Sequence, residues 1–93
     1  MKIFHVASGN WEKSVRALSC IEAATVAVEQ IFKSRKRNYT FGALISVWEM
    51  KYKKLNREDR QMFLYAPLIL ANAGEYSSSK QLQKNIDRYN FFN

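Results

Sequence analysis

The chain opens with an alternation of apolar and polar positions. Phe4 and Val6 fall on one side of an extended segment and Ile3, His5 and Ala7 on the other, a period of two that predicts a strand. Ser8-Gly9-Asn10 then supplies a turn, because glycine and asparagine tolerate positive φ. Beyond it Trp11, Lys13, Val15 and Ala17 alternate with Glu12, Ser14, Arg16 and Leu18. Residues 2–18 therefore read as a β-hairpin, although neither strand divides cleanly into an apolar and a polar side.

The period changes at Ser19. Ser19 followed by Glu22 forms a capping box. Ile21, Ala24, Val28, Ile31 and Phe32 then recur at helical spacing. Glu22 in the first turn and Lys33, Arg35, Lys36 and Arg37 at the end suit the helix macrodipole, so a helix is expected over roughly 20–35.

Residues 43–52 fit two patterns. As a strand, Leu44, Ser46, Trp48 and Met50 alternate with Ile45, Val47 and Glu49. As a helix, Phe41, Leu44, Ile45, Trp48, Tyr52 and Leu55 share a face. Gly42 at the start, with Ile45, Val47 and Trp48 inside, tilts the reading to a strand. The polar run 53–60 reads as an exposed loop, and Met62-Phe63-Leu64-Tyr65 as a fourth strand.

Pro67 suits the first turn of a helix, where its missing N–H has no consequence. Leu68 to Ala73 continues that helix and Gly74 stops it. Ser77-Ser78-Ser79 reads as a break, with Ser78 and Gln81 forming a second capping box. Leu82, Ile86 and Tyr89 mark a last helix over about 79–91, with Lys80, Lys84 and Arg88 on its other face. The order β-β-α-β-(β)-α-α describes an α+β domain with a small antiparallel sheet. It spans 1–93, with 79–93 as an amphipathic helix and aromatic tail.

Composition agrees with a folded chain. Of 93 residues, 47% are hydrophobic and 14% aromatic, enough for a core and against wholesale disorder. No apolar run approaches the roughly 20 residues of a membrane span, and the N-terminus lacks a signal-peptide pattern. Cys20 is the only cysteine, which rules out an internal disulfide and agrees with a reducing compartment. A cytoplasmic protein is expected, with no membrane partner.

Charge narrows the picture further. The net charge is +7, and between Lys33 and Arg60 nine Lys/Arg stand against three Asp/Glu. Such concentration points to an anionic partner or to a solvated face.

Several stretches occur together: Ile3-Phe4-His5-Val6-Ala7-Ser8-Gly9-Asn10-Trp11-Glu12, the capped helix from Ser19, Phe41-Gly42-Ala43-Leu44-Ile45-Ser46-Val47, and Leu68 to Gly74. In that order, over about two-thirds of the chain, they resemble small uncharacterised proteins of tailed bacteriophages. The resemblance implies a phage accessory protein and the order β-β-α-β; it carries no functional residues. Tyr52-Lys53-Lys54-Leu55-Asn56, with Asp59-Arg60 and Phe63, is similar to the tryptophan-Lys-x-Leu-Ser stretch of HMG boxes, which bend DNA through the minor groove. Here a tyrosine replaces the tryptophan, and the opening proline and aromatic pair of that family are missing.

Catalytic chemistry finds little support. His5 is the only histidine and has no acidic neighbour in sequence, and Glu58 and Asp59 are adjacent carboxylates inside a basic loop that balance local charge more simply than they serve as an acid–base pair. Three glycines form no phosphate loop. One His and one Cys fifteen residues apart make a poor metal site, and Cys20 reads as a small core residue. No cofactor, no metal and no enzymatic activity are expected.

The leading candidate site is the basic cluster, Lys33, Arg35, Lys36 and Arg37 followed by Lys51, Lys53, Lys54, Arg57 and Arg60, with Tyr39, Phe41 and Tyr52 interleaved. Phosphates attract such cations and rings stack on unpaired bases. With about five phosphates neutralised, log K would fall with log salt at a slope near −4 to −5. The expected partner is nucleic acid or an acidic host protein whose activity the binding modulates. The second candidate is a protein interface at Tyr89, Phe91 and Phe92, which would make the chain a homo-oligomer or a virion assembly component.

Overall fold

The structure, a computed structural model, describes residues 1–34, 38–50 and 61–92, with side chains through Arg88. Strands β1 (Lys2–Ser8) and β2 (Trp11–Ala17) form the expected hairpin, joined at Gly9-Asn10. Helix α1 follows (Cys20–Lys33), then β3 (Leu44–Glu49), β4 (Gln61–Tyr65), α2 (Ala66–Asn72) and α3 (Tyr76–Phe92). All strand pairs are antiparallel, in the order β2-β1-β3-β4. The fold is α+β, with a four-stranded sheet and three helices. The segment 43–52 takes the strand reading over Leu44–Glu49, and the optional fourth strand is present. Of the stretch similar to HMG boxes only Phe63 is described, within β4; Tyr52 to Arg60 lie outside the described residues.

The core lies between one face of the sheet and α1, with Ala66, Ile69 and Leu70 of α2 joining it. Phe4 and Val6 of β1, Trp11, Val15 and Ala17 of β2, and Ile45 and Val47 of β3 are buried there. Helix α1 meets them through Ala23, Ala24, Ala27, Val28 and Ile31. This corrects the expected stripe: Ile21 is 56% exposed and Phe32 38%. Three alanines let the helix axis approach the sheet closely, and the helix rotates to present them. The cap at Ser19 is as expected, its hydroxyl accepting the Glu22 N–H (3.2 Å), while the Glu22 carboxylate accepts the Leu18 N–H (3.1 Å).

Helix α2 begins where β4 ends. Pro67 occupies its first turn, and Gly74, at φ 85°, lets the chain leave it as Glu75 N–H reaches back to the Leu70 carbonyl (2.9 Å). Helix α3 starts earlier than expected. Ser77, Ser78 and Ser79 are helical rather than a break, since Ser79 N–H donates to the Glu75 carbonyl (2.9 Å). The Ser79 hydroxyl donates to the Pro67 carbonyl (2.6 Å), pinning α3 to α2. A contact outside the helix therefore holds Ser79 within the first turn and a half of α3, and the expected cap at Ser78 falls inside the helix.

Candidate functional site

The end of the sheet that carries the β1–β2 turn is tied to the connection between α1 and β3. Asn10 does most of this. Its side-chain amide donates to the Asn38 carbonyl (2.6 Å), its side-chain oxygen accepts the Thr40 N–H (2.8 Å), and its own N–H donates to the Thr40 hydroxyl (3.1 Å). Ser8, the one buried polar residue among those described, accepts the Gly42 N–H and donates to the Leu44 carbonyl, both at 3.0 Å. Residues 38–44 are thereby laid along the hairpin turn.

This placement builds a groove. Phe41 is packed edge-on against Trp11 (centroids 5.5 Å apart) and stacks on Phe32 at the end of α1 (6.0 Å, 19° between planes). On the far side stand Ser78, Gln81, Leu82 and Asn85 of α3, and Ile31 and Leu70 form the floor. The open volume is about 980 Å³, at the upper end of the range for ligand sites. Its walls combine apolar rings with the polar edges of Thr40, Gln81 and Asn85.

Of the cations in the expected site, Lys33 is exposed in the last turn of α1, and Tyr39 lines the groove, half-buried against the core. Arg35, Lys36, Arg37, Lys51, Lys53, Lys54, Arg57 and Arg60 lie outside the described residues, as does the expected loop 53–60. Tyr89, Phe91 and Phe92 belong to the last turns of α3, with side chains outside those described.

The flanking residues are placed. Ser34 and Asn38 stand at the groove end of the sheet. Met50, whose N–H donates to the Ile3 carbonyl (2.8 Å), and Gln61, opposite Trp48, stand at the other end. The seven residues of β1 separate these ends by roughly 20 Å. The chain thus enters the two basic segments at opposite ends of the sheet.

The face of the sheet away from α1 holds a second constellation. His5 Nε2 lies 2.9 Å from Glu12 Oε2, and His5 Nδ1 lies 3.5 Å from Ser14 Oγ. The imidazole sits against Trp48 with centroids 4.7 Å apart. Sequence proximity concealed the acid, because Glu12 reaches His5 across the hairpin; the strand register would have revealed it. A serine, a histidine and a carboxylate meet here, with the contact on the serine side the longer one. The Ser14 contact is at the limit of a hydrogen bond, and its hydroxyl is directed at Met50 Sδ (3.8 Å). The three groups clasp the outer face of the hairpin.

Phe32, Thr40, Gln81, Leu82 and Asn85 were not singled out as site residues from sequence. Phe32 and Leu82 carried a weak signal as members of the apolar stripes of their helices; Thr40 and Asn85 carried none. Among the described residues no helix is long and apolar enough to cross a membrane, and no three His, Cys, Asp or Glu side chains group to hold a metal ion. Comparison with family models, with curated proteins and with solved structures finds no match to this chain.

Proposed function

We propose that this protein is a non-enzymatic binding protein that takes single-stranded nucleic acid at the groove between α1, the 38–41 segment and α3. The observation that carries this reading is the ring wall of Phe32, Phe41 and Tyr39, set where the chain leaves Lys33 for Arg35, Lys36 and Arg37. Bases stack on such rings without demanding a sequence, and adjacent cations hold the phosphates. Thr40, Gln81 and Asn85 offer donors and acceptors to base edges. Lys51, Lys53, Lys54, Arg57 and Arg60, in the second basic segment of the sequence, add to the long-range attraction. In keeping with the resemblance to phage-encoded proteins, the proposed activity is that of an accessory in a host cytoplasm that acts by occupancy.

Fluorescence anisotropy with a labelled single-stranded oligonucleotide, repeated across a salt series, tests it. Four phosphates neutralised on a single strand give a slope of log K against log salt of about −3. Salt-insensitive binding, or none, overturns the nucleic-acid reading and leaves an acidic protein surface as the partner. A second reading, an assembly component, is favoured by one feature of α3. None of its described side chains is fully buried, so the helix has apolar surface left for another subunit.

A further inference from the structure

The two edges of the sheet differ. Edge strand β2 carries Glu12, Lys13 and Arg16 among its seven residues, charges of the kind that keep edges from pairing. Edge strand β4, Gln-Met-Phe-Leu-Tyr, carries none, and no proline or glycine. Met62 is 47% exposed on the helix side of β4, and Phe63 is 57% exposed on the other.

The ladder shows which backbone groups this edge offers. Ala66 N–H donates to the Ala43 carbonyl (2.9 Å). Hydrogen-bonded pairs alternate along an antiparallel ladder, so Met62 and Leu64 bond to Val47 and Ile45. Gln61, Phe63 and Tyr65 then turn their N–H and C=O groups outward, and the Tyr65 carbonyl is taken up as the start of α2. The outward groups are symmetric about Phe63.

We propose that β4 pairs antiparallel with β4 of a second copy of this chain, across a two-fold axis at Phe63, to make one eight-stranded sheet. In that register the two Phe63 residues exchange both of their hydrogen bonds. Each Tyr65 N–H donates to the Gln61 carbonyl of the second copy, so four hydrogen bonds form. The two Phe63 rings lie side by side on the open face, and each Met62 meets Leu64 of the second copy on the other. Self-pairing is favoured over capture of a foreign strand because this one is uncharged and complementary to itself about its centre. Two chains of net charge +7 repel each other at long range, and salt screens that repulsion. The dimer therefore strengthens with salt, opposite in sign to nucleic-acid binding at the groove, on which this pairing does not depend.

Sedimentation equilibrium of the full chain at low and high salt, over micromolar to millimolar concentrations, tests the pairing together with two variants. Phe63→Lys and Phe63→Glu each place like charges directly opposite across the axis. Position 63 is exposed in the monomer, and circular dichroism checks that both variants fold. The wild type is expected to double in mass, more readily at high salt. Each variant alone is expected to stay monomeric under the same conditions, and an equal mixture of the two to recover the doubled mass as a heterodimer. A wild type that stays monomeric throughout overturns the proposal. So does a variant that still dimerises, which would move the contact elsewhere, or a mixture that fails to pair.

Discussion

Gly9 and Thr40 are in closer contact than any side chain at position 9 would allow. A β-carbon added to Gly9 would overlap the backbone carbonyl and side chain of Thr40, and the glycine φ is +53°. Turn conformation and close approach thus both require glycine. Gly9→Ala is expected to lower stability by about 2–4 kcal/mol, since the neighbour that must shift is backbone. Chemical denaturation measures it, and a loss below about 1 kcal/mol would show that the 38–44 segment rides less tightly on the turn.

The neighbouring Asn10 makes three hydrogen bonds to Asn38 and Thr40. Two of them come from the side chain and are partly open to water, so Asn10→Ala, which keeps the backbone bond to Thr40, should remove about 1–2 kcal/mol in total. The more specific outcome is local. Amide exchange should accelerate at residues 39–42 and stay unchanged in the middle of β1 and β3, as hydrogen exchange read by NMR would reveal.

Proline substitutions separate the two possible starts of α3. Ser79 N–H is bonded to Glu75, so Ser79→Pro removes a helical hydrogen bond and should destabilise the protein by about 3 kcal/mol. Tyr76 is the first residue of the helix and is 65% exposed, so Tyr76→Pro should stay within about 1 kcal/mol of the wild type. A helix beginning near Ser79 would give the reverse order in thermal melts. Ser79→Ala, which loses only the bond to Pro67, should fall between them at about 1 kcal/mol.

Binding at the groove divides into two kinds of contribution. Phe32→Ala removes a ring and should weaken single-strand binding by about 5- to 100-fold, with the salt slope unchanged. Lys33→Gln removes one cation and should reduce the slope by about 0.7 while weakening all sequences alike. Anisotropy titrations at three or more salt concentrations distinguish the two. Equal effects of both variants on the slope would place Phe32 away from the strand.

Much of the architecture was legible along the chain because it is set by neighbours. The alternation through β1 and β2, the Ser19–Glu22 cap, Pro67 and Gly74 each express a preference that acts within a few residues, and the structure keeps all of them. The segment 43–52 was less legible because its residues satisfy both periods. Its place between β1 and β4 decides the matter, since there its backbone finds partners on both sides. The groove was the least legible, because its wall joins Phe32, Phe41 and Leu82, residues far apart in sequence.

By itself, then, the sequence determined the kinds and order of the elements outside 43–52, the hairpin and the concentration of positive charge. Those follow from backbone preference and from counting. Tertiary structure alone decided that α1 packs through its alanines and leaves Ile21 outside, and that Ser79 is held inside a helix by Pro67. It also decided that the two basic segments start from opposite ends of the sheet. Each of these depends on close packing or on hydrogen bonds between distant parts of the chain, and a linear pattern carries no distance of that kind.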